Sequence, residues 1–140
     1  MKTFSGGCLC GGVLYTYEGE LGGTLGAVTV CHCASCRRAQ GYAVGVVPAS
    51  ADVFVVTAGA DLVREYESSP GQKRAFCTLC GSPLYSRRDD KPDALRIRLG
   101  SLDRTPESLT VEAHTYAEGA PAWAFADDAP RYPGLEPGRK

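Results

Sequence analysis

Apolar and polar residues alternate along this chain in short runs, with glycine and proline between them. A period of two is the mark of strands that keep one face in a core and one outside. Val13 to Glu18, Ala27 to Val30, Ala43 to Val47, Val53 to Thr57 and Leu62 to Tyr66 are short runs rich in apolar, β-branched and aromatic residues and are read as strands. Pro83 to Arg87, Ala94 to Leu99 and Leu109 to Tyr116 follow them. In Ala94 to Leu99, Leu95, Ile97 and Leu99 alternate with Arg96 and Arg98, which predicts a strand with one wet face. Pro48 and Asp52 separate two of the strands, Gly19 to Gly26 predicts a glycine-rich turn, and Asp61, Ser68, Ser69, Pro70 and Gly71 mark others. One helical turn is expected, Arg37 to Gln40, stopped by Gly41. The tail, with Pro121, Trp123, Pro130 and Pro133, holds too many prolines for regular structure. It is expected to drape over the sheet with Trp123 as its anchor. The pattern predicts an all-β (mainly β) fold, one domain over residues 1–140, with residues 120–140 packed on it.

Composition narrows the function classes. A chain of 140 residues is long enough to bury about two-thirds of its unfolded surface. A net charge of −1 lacks the global basic field of a nucleic-acid binder. Arg87 and Arg88, with Arg96 and Arg98, could still form a basic stripe. No apolar run approaches the length of a membrane span, and Met1 to Cys8 has no signal-peptide core. A cytoplasmic protein with reduced thiols is therefore expected.

Seven cysteines in such a setting point to metal. They are grouped as Cys8-x-Cys10, Cys31-x-Cys33-x-x-Cys36 and Cys77-x-x-Cys80, and none stands alone. Thiols serving only as small buried hydrophobes would be scattered. Zn²⁺ takes sulfur ligands at roughly 2.3 Å, four in a closed structural site and three where one position stays open. Glycines around Cys8 and Cys10 permit the turn that lets a Cys-x-Cys pair converge, and Gly81 permits a zinc-knuckle turn after Cys80. Spacing allows two divisions. Cys8, Cys10, Cys77 and Cys80 can close one site and leave Cys31, Cys33 and Cys36 as a three-thiol site. Alternatively, Cys33, Cys36, Cys77 and Cys80 can form a zinc ribbon.

Gly-x-Cys8-x-Cys10-Gly-x-Val13, Cys31-His-Cys33-x-x-Cys36-Arg37 and Phe76-Cys77-x-x-Cys80-Gly81-Ser-Pro-Leu resemble the glutathione-dependent formaldehyde-activating enzyme family, which includes centromere-protein-V-like proteins. Arg74, Gly100-x-Leu102-Asp103, His114, Ala122-Trp123, Asp127 and Pro130 add to the likeness. The resemblance implies a zinc-bearing β-tent of antiparallel sheets with short helical turns. It implies two Zn²⁺ per chain, a structural one on Cys8, Cys10, Cys77 and Cys80 and a catalytic one on Cys31, Cys33 and Cys36. The implied activity is that of a carbon–sulfur lyase making or breaking the adduct of glutathione with formaldehyde. Physically, a zinc ion on three thiolates is a weak Lewis acid but can hold a substrate thiol as thiolate. Arg37 and Arg38 could pair the carboxylates of a glutathione-like substrate, or be two solvated arginines at a helix end.

His32 lies between two ligands, and on alternating backbone its ring points away from the metal. His114 could serve the open site as a proton shuttle or be a hydrogen-bonded strand histidine. Ser35, Gln40 and Tyr42 are near enough in sequence to line a pocket. Two other classes compete with the lyase: a non-catalytic zinc scaffold for a protein or nucleic acid, and a thiol/zinc redox sensor. A homo-oligomer is possible.

Overall fold

In the computed structural model, which describes residues 2–21, 27–124 and 128–139, the protein is mainly β and built from two sheets. Its strands are β1 (Thr3–Gly7), β2 (Leu14–Glu18), β3 (Val28–Cys31), β4 (Val44–Ser50) and β5 (Phe54–Ala58), then β6 (Val63–Ser69), β7 (Gln72–Cys77), β8 (Pro83–Arg88), β9 (Lys91–Arg98) and β10 (Val111–Thr115). One helix, α1 (Ala34–Gln40), and several short 3-10 turns complete the described residues.

The smaller sheet has the order β1-β2-β5 and the larger β10-β3-β4-β9-β8-β7-β6. Side chains from both sheets form the main core. Val13, Tyr15 and Tyr17 from the smaller sheet and its approach meet Val47, Ala75, Leu84, Leu95 and Ile97 from the larger. Alternation explains the choice: Leu95 and Ile97 are two apart on β9 and share the face turned to the core.

The strands named from the pattern are present, with ends shifted by a few residues. Three features differ from expectation. Pairing is antiparallel throughout except for β10 with β3, which runs parallel. Pro48 lies inside β4 rather than between strands. β3 pairs with Val44, Gly45 and Val46 only, so β4 is open on that side at Pro48, where a missing N–H leaves no ladder bond unmade. Finally, β1 forms in a segment whose Gly6 and Gly7 offer no side-chain pattern to read.

The tail does lack long regular elements, and its backbone is tied to β10. Tyr132 N–H donates to the His114 carbonyl at 3.0 Å, His114 N–H to that of Pro130 at 2.9 Å and Tyr116 N–H to that of Gly134 at 3.1 Å. Trp123 is not a buried anchor. It is 72% exposed and stacks on Tyr42 with ring centroids 5.3 Å apart. The backbone bonds along β10 hold the tail instead. Most of the expected Gly19–Gly26 turn, and Asp127, lie outside the described residues.

Candidate metal centres and a basic cavity

The seven cysteines fall into the four-plus-three division. The sulfurs of Cys8, Cys10, Cys77 and Cys80 all lie within 4.8 Å of one another, and so do those of Cys31, Cys33 and Cys36. The zinc-ribbon pairing of Cys33 and Cys36 with Cys77 and Cys80 is not what the fold brings together.

The four-thiol group joins the two sheets. Cys8 and Cys10 lie between β1 and β2, Cys77 ends β7, and Cys80 occupies the turn before β8. Gly11 and Gly81 have φ of 77° and 78°, a left-handed conformation open to glycine at little cost, and each closes a turn around its sulfurs. Backbone N–H groups point at the thiols, Val13 to Cys8 Sγ at 3.2 Å and Gly12 to Cys10 Sγ at 3.4 Å. Leu9 N–H donates to Ser82 Oγ at 2.9 Å and locks one turn to the other. The hydrogen bond with Ser82 brings the Cys80 thiol down to about 5.

These separations suit one ion. A tetrahedron with Zn–S of 2.3 Å has S···S edges of roughly 3.8 Å. The observed Cys8–Cys10 and Cys10–Cys77 distances are 3.5 and 3.9 Å.

The three-thiol group forms where β3 runs into α1. Cys31 is the last residue of β3, Cys33 is the N-cap of α1, and Cys36 is the one buried residue of the helix. Cys36 N–H donates to Cys33 Sγ at 3.3 Å, so the cap side chain is a thiol. The helix runs two turns rather than the single turn expected, because that cap starts it at Ala34. Hydrogen bonds from Cys31 and Cys36 push the Cys33 thiol far below its ordinary range, and the Arg74 charge adds to this. The Cys31 thiol is pushed up by the same sharing.

The trio opens into a cavity of about 910 Å³. Its floor is the face of the larger sheet opposite the core. Ser86 on β8 pairs with Arg74 on β7 and with Arg96 on β9, and Arg96 pairs with Pro48 on β4. Arg74, Arg87, Arg88, Arg96, Arg98 and Arg139 line it together with Cys31, Cys33 and Cys36. Arg98 is only 5% exposed and donates to Ser86 Oγ at 3.0 Å. Burial lowers its pKa to about 10, against the opposing pull of the three-thiol group, and it stays cationic at neutral pH. The wet face expected for β9 is thus the floor of a charged cavity. Thr29, two residues before Cys31 on β3, also lines it; its hydroxyl is buried and has no protein partner.

Arg37 and Arg38 do not line this cavity. Both are exposed on α1, and Arg37 instead borders a smaller cavity of about 360 Å³ with His32 and Tyr42. Turning Cys36 inward carries the next two helix positions outward. His32 points away from the thiols, as alternation requires, and its Nε2 lies 2.9 Å from Nδ1 of His114. Both rings are buried. His114 is thus a hydrogen-bonded strand histidine behind the site. Ser35 lines the large cavity. The arginines of β7 and β9 are the functional candidates that local spacing misses as ligands for a substrate. The basic stripe signals Arg96 and Arg98, and the family likeness signals Arg74.

Comparison with known proteins agrees with this geometry. A crystal structure of a Rhodobacter sphaeroides protein superposes with a TM-score of 0.62, covering 91% of this chain and 99% of that one at 22% identity, a likeness of fold. A stretch of 45 residues is 42% identical to part of an adenylate kinase from Clostridium acetobutylicum. It covers 32% of this chain and about a fifth (21%) of that enzyme's length, so this likeness is local. The family model described as glutathione-dependent formaldehyde-activating enzyme matches residues 3–119. The match takes in all seven grouped cysteines and most of the arginine floor, and the chain belongs to the glutathione-dependent formaldehyde-activating enzyme family.

Proposed function

We propose that this protein is a carbon–sulfur lyase that makes or breaks the adduct of glutathione with formaldehyde in the cytoplasm. Cys8, Cys10, Cys77 and Cys80 hold a structural Zn²⁺, and Cys31, Cys33 and Cys36 hold a catalytic one. The observation that carries this reading is the shared cavity of the three-thiol group and six arginines. Glutathione is a thiol carrying two carboxylates, and guanidinium groups match carboxylates in shape and charge.

Bound at the three thiols, Zn²⁺ would supply the positive charge that keeps an incoming thiol ionised. The chain's own residues do the rest. Arg74 and Arg98 offset the negative charge of the trio. The arginine floor places the substrate's carboxylates and so fixes where its sulfur lies. In adduct formation the substrate sulfur attacks the carbonyl carbon and a C–S bond forms. The C=O π pair moves to oxygen, which takes a proton from water. Cleavage reverses each step. The role first expected of Arg37 and Arg38 passes to the arginines of the sheet. Because Arg74, Arg96 and Arg98 face into a cavity rather than across an outer surface, they favour a small anionic ligand over nucleic acid.

Exchange spectroscopy with ¹³C-formaldehyde and glutathione tests the reading. Catalytic amounts of protein should speed exchange between free and thiol-bound formaldehyde, and Cys33→Ser should not. Exchange no faster than the uncatalysed background in zinc-replete protein would sink it.

A further inference from the structure

One wall of the large cavity is built by residues 135–139, beyond the segment matched by the family model. That wall is fixed in place by backbone bonds from the tail to β10 and to Tyr116 just after it, whose N–H donates to the Gly134 carbonyl. Since β10 pairs with β3, with Thr115 beside Cys31, the wall is anchored next to the strand that carries the three-thiol group.

The chemistry of the wall is specific. Arg139 Nη1 lies 3.2 and 3.4 Å from the two carboxylate oxygens of Glu136, and both side chains are mostly covered, at 26% and 20% exposed. Burial lowers the Arg96 pKa, the Arg139 charge adds to this, and Glu136 opposes it. Arg96, Arg139 and Glu136 thus line one cavity, two positive charges to one negative. The cavity's other carboxylate, Glu112, accepts from the Ala27 N–H at 3.1 Å and lies at the register shift where β10 meets β3.

We propose that Glu136, Arg139 and Arg96 form a seat for an α-amino-acid end of the thiol substrate, with Glu136 taking its ammonium and the two arginines its carboxylate. Such an end carries both signs at once, so its ammonium can take Glu136 while its carboxylate takes the two arginines. The γ-glutamyl end of glutathione has this chemistry. A simple thiol such as mercaptoethanol, or a thiol with carboxylates only, lacks it. The proposal rests on the glutathione reading of the cavity but not on lyase chemistry.

Titration calorimetry with S-methylglutathione, which has no free thiol, separates the two. Full-length protein should bind it about tenfold more tightly than its analogue lacking the α-amino group. Glu136→Gln should bring the two ligands to near-equal affinity, and Arg139→Met should weaken both. Glu112→Gln should keep the discrimination. A chain ending at Gly134, checked for folding by its melting curve, should lose it as Glu136→Gln does. Discrimination intact in Glu136→Gln, its loss in Glu112→Gln instead, or no binding of S-methylglutathione by the wild-type protein would overturn the proposal. Discrimination without catalysed formaldehyde exchange would uphold the seat and reject the lyase.

Discussion

Both terminal nitrogens of Arg74 lie near the Cys36 sulfur, Nη1 at 3.6 Å and Nη2 at 3.7 Å. Nε of the same guanidinium donates to Ser68 Oγ at 2.9 Å, so the group is aimed rather than free. A cluster of thiolates gains from a fixed cation, and a charge-assisted hydrogen bond of this kind contributes about 1.5–3 kcal/mol. Arg74→Met should therefore weaken zinc at the three-thiol group by roughly tenfold or more, leaving the four-thiol group unchanged. Competition with a chromogenic chelator would resolve two affinities. Equal weakening of both, or of neither, contradicts the role given to Arg74.

The two thiol groups should differ in what they hold together. The four-thiol group joins β1–β2 to β7–β8, elements of different sheets, whereas the three-thiol group spans Cys31 to Cys36 within a single strand–helix turn. Structural zinc binding of about 10–16 kcal/mol rivals the stability of a domain of this size. Cys77→Ser should lose several kcal/mol, melting far lower or aggregating. Cys33→Ser should lose one zinc of two and all catalysed exchange while melting only slightly lower. Elemental analysis and melting curves of both variants decide the matter. Equal destabilisation would mean that the division of labour is wrong.

What the sequence discloses and what it hides follow from the range of the signal. Cysteine spacing is local, so the groups at Cys8, Cys31 and Cys77 are visible as patterns, and the strands of Leu95 and Ile97 are visible as alternation. Joining Cys8 and Cys10 to Cys77 and Cys80 needs contacts nearly seventy residues apart, which spacing alone leaves open against a ribbon; the family resemblance selects between them. Arg74 and Arg96 meet across Ser86 only because β7, β8 and β9 pair in one register. No feature of the isolated segments reports that register, so Arg98 reads as a wet-face residue although it is buried. The parallel pairing of β10 is hidden for the same reason.

Glu65 and Arg87 supply a pH-dependent contribution to stability. Arg87 Nε donates to Glu65 Oε2 at 2.8 Å and Nη2 to Oε1 at 2.7 Å, joining β6 to β8 across β7. Arg87's hydrogen bonds hold the Glu65 carboxyl below its ordinary value of 4.5. A depressed folded pKa means that the contribution is complete above 4.5 and is lost as pH falls through the lowered value. Partial exposure keeps it near the upper end for surface pairs, about 1 kcal/mol. Glu65→Gln should lower the melting temperature at pH 7, and the difference from wild type should shrink as pH drops below 4.5. A difference that stays constant from pH 7 to the acid limit would rule out this linkage.

Thr29 and Thr115 are the two buried hydroxyls without a protein partner among the described residues, at 3% and 0% exposure. They sit on the paired strands β3 and β10, yet only Thr29 lines the large cavity. Burying a hydroxyl without a hydrogen bond costs about 1–3 kcal/mol by mutational measures, and valine keeps nearly the same shape without it. Thr115→Val should therefore raise stability by about 1 kcal/mol and leave ligand binding unchanged. Thr29→Val should bring a similar gain in the free protein. It should also weaken a ligand that completes the hydroxyl's hydrogen bonding from within the cavity, by roughly tenfold in the affinity for S-methylglutathione. Denaturant melts of the free proteins and calorimetry on both variants separate the effects. If Thr29→Val binds the ligand as tightly as the wild type does, the hydroxyl is idle and the substrate lies elsewhere in the cavity. If both valines destabilise, each hydroxyl has a partner in solution, and neither site has a polar group to spare.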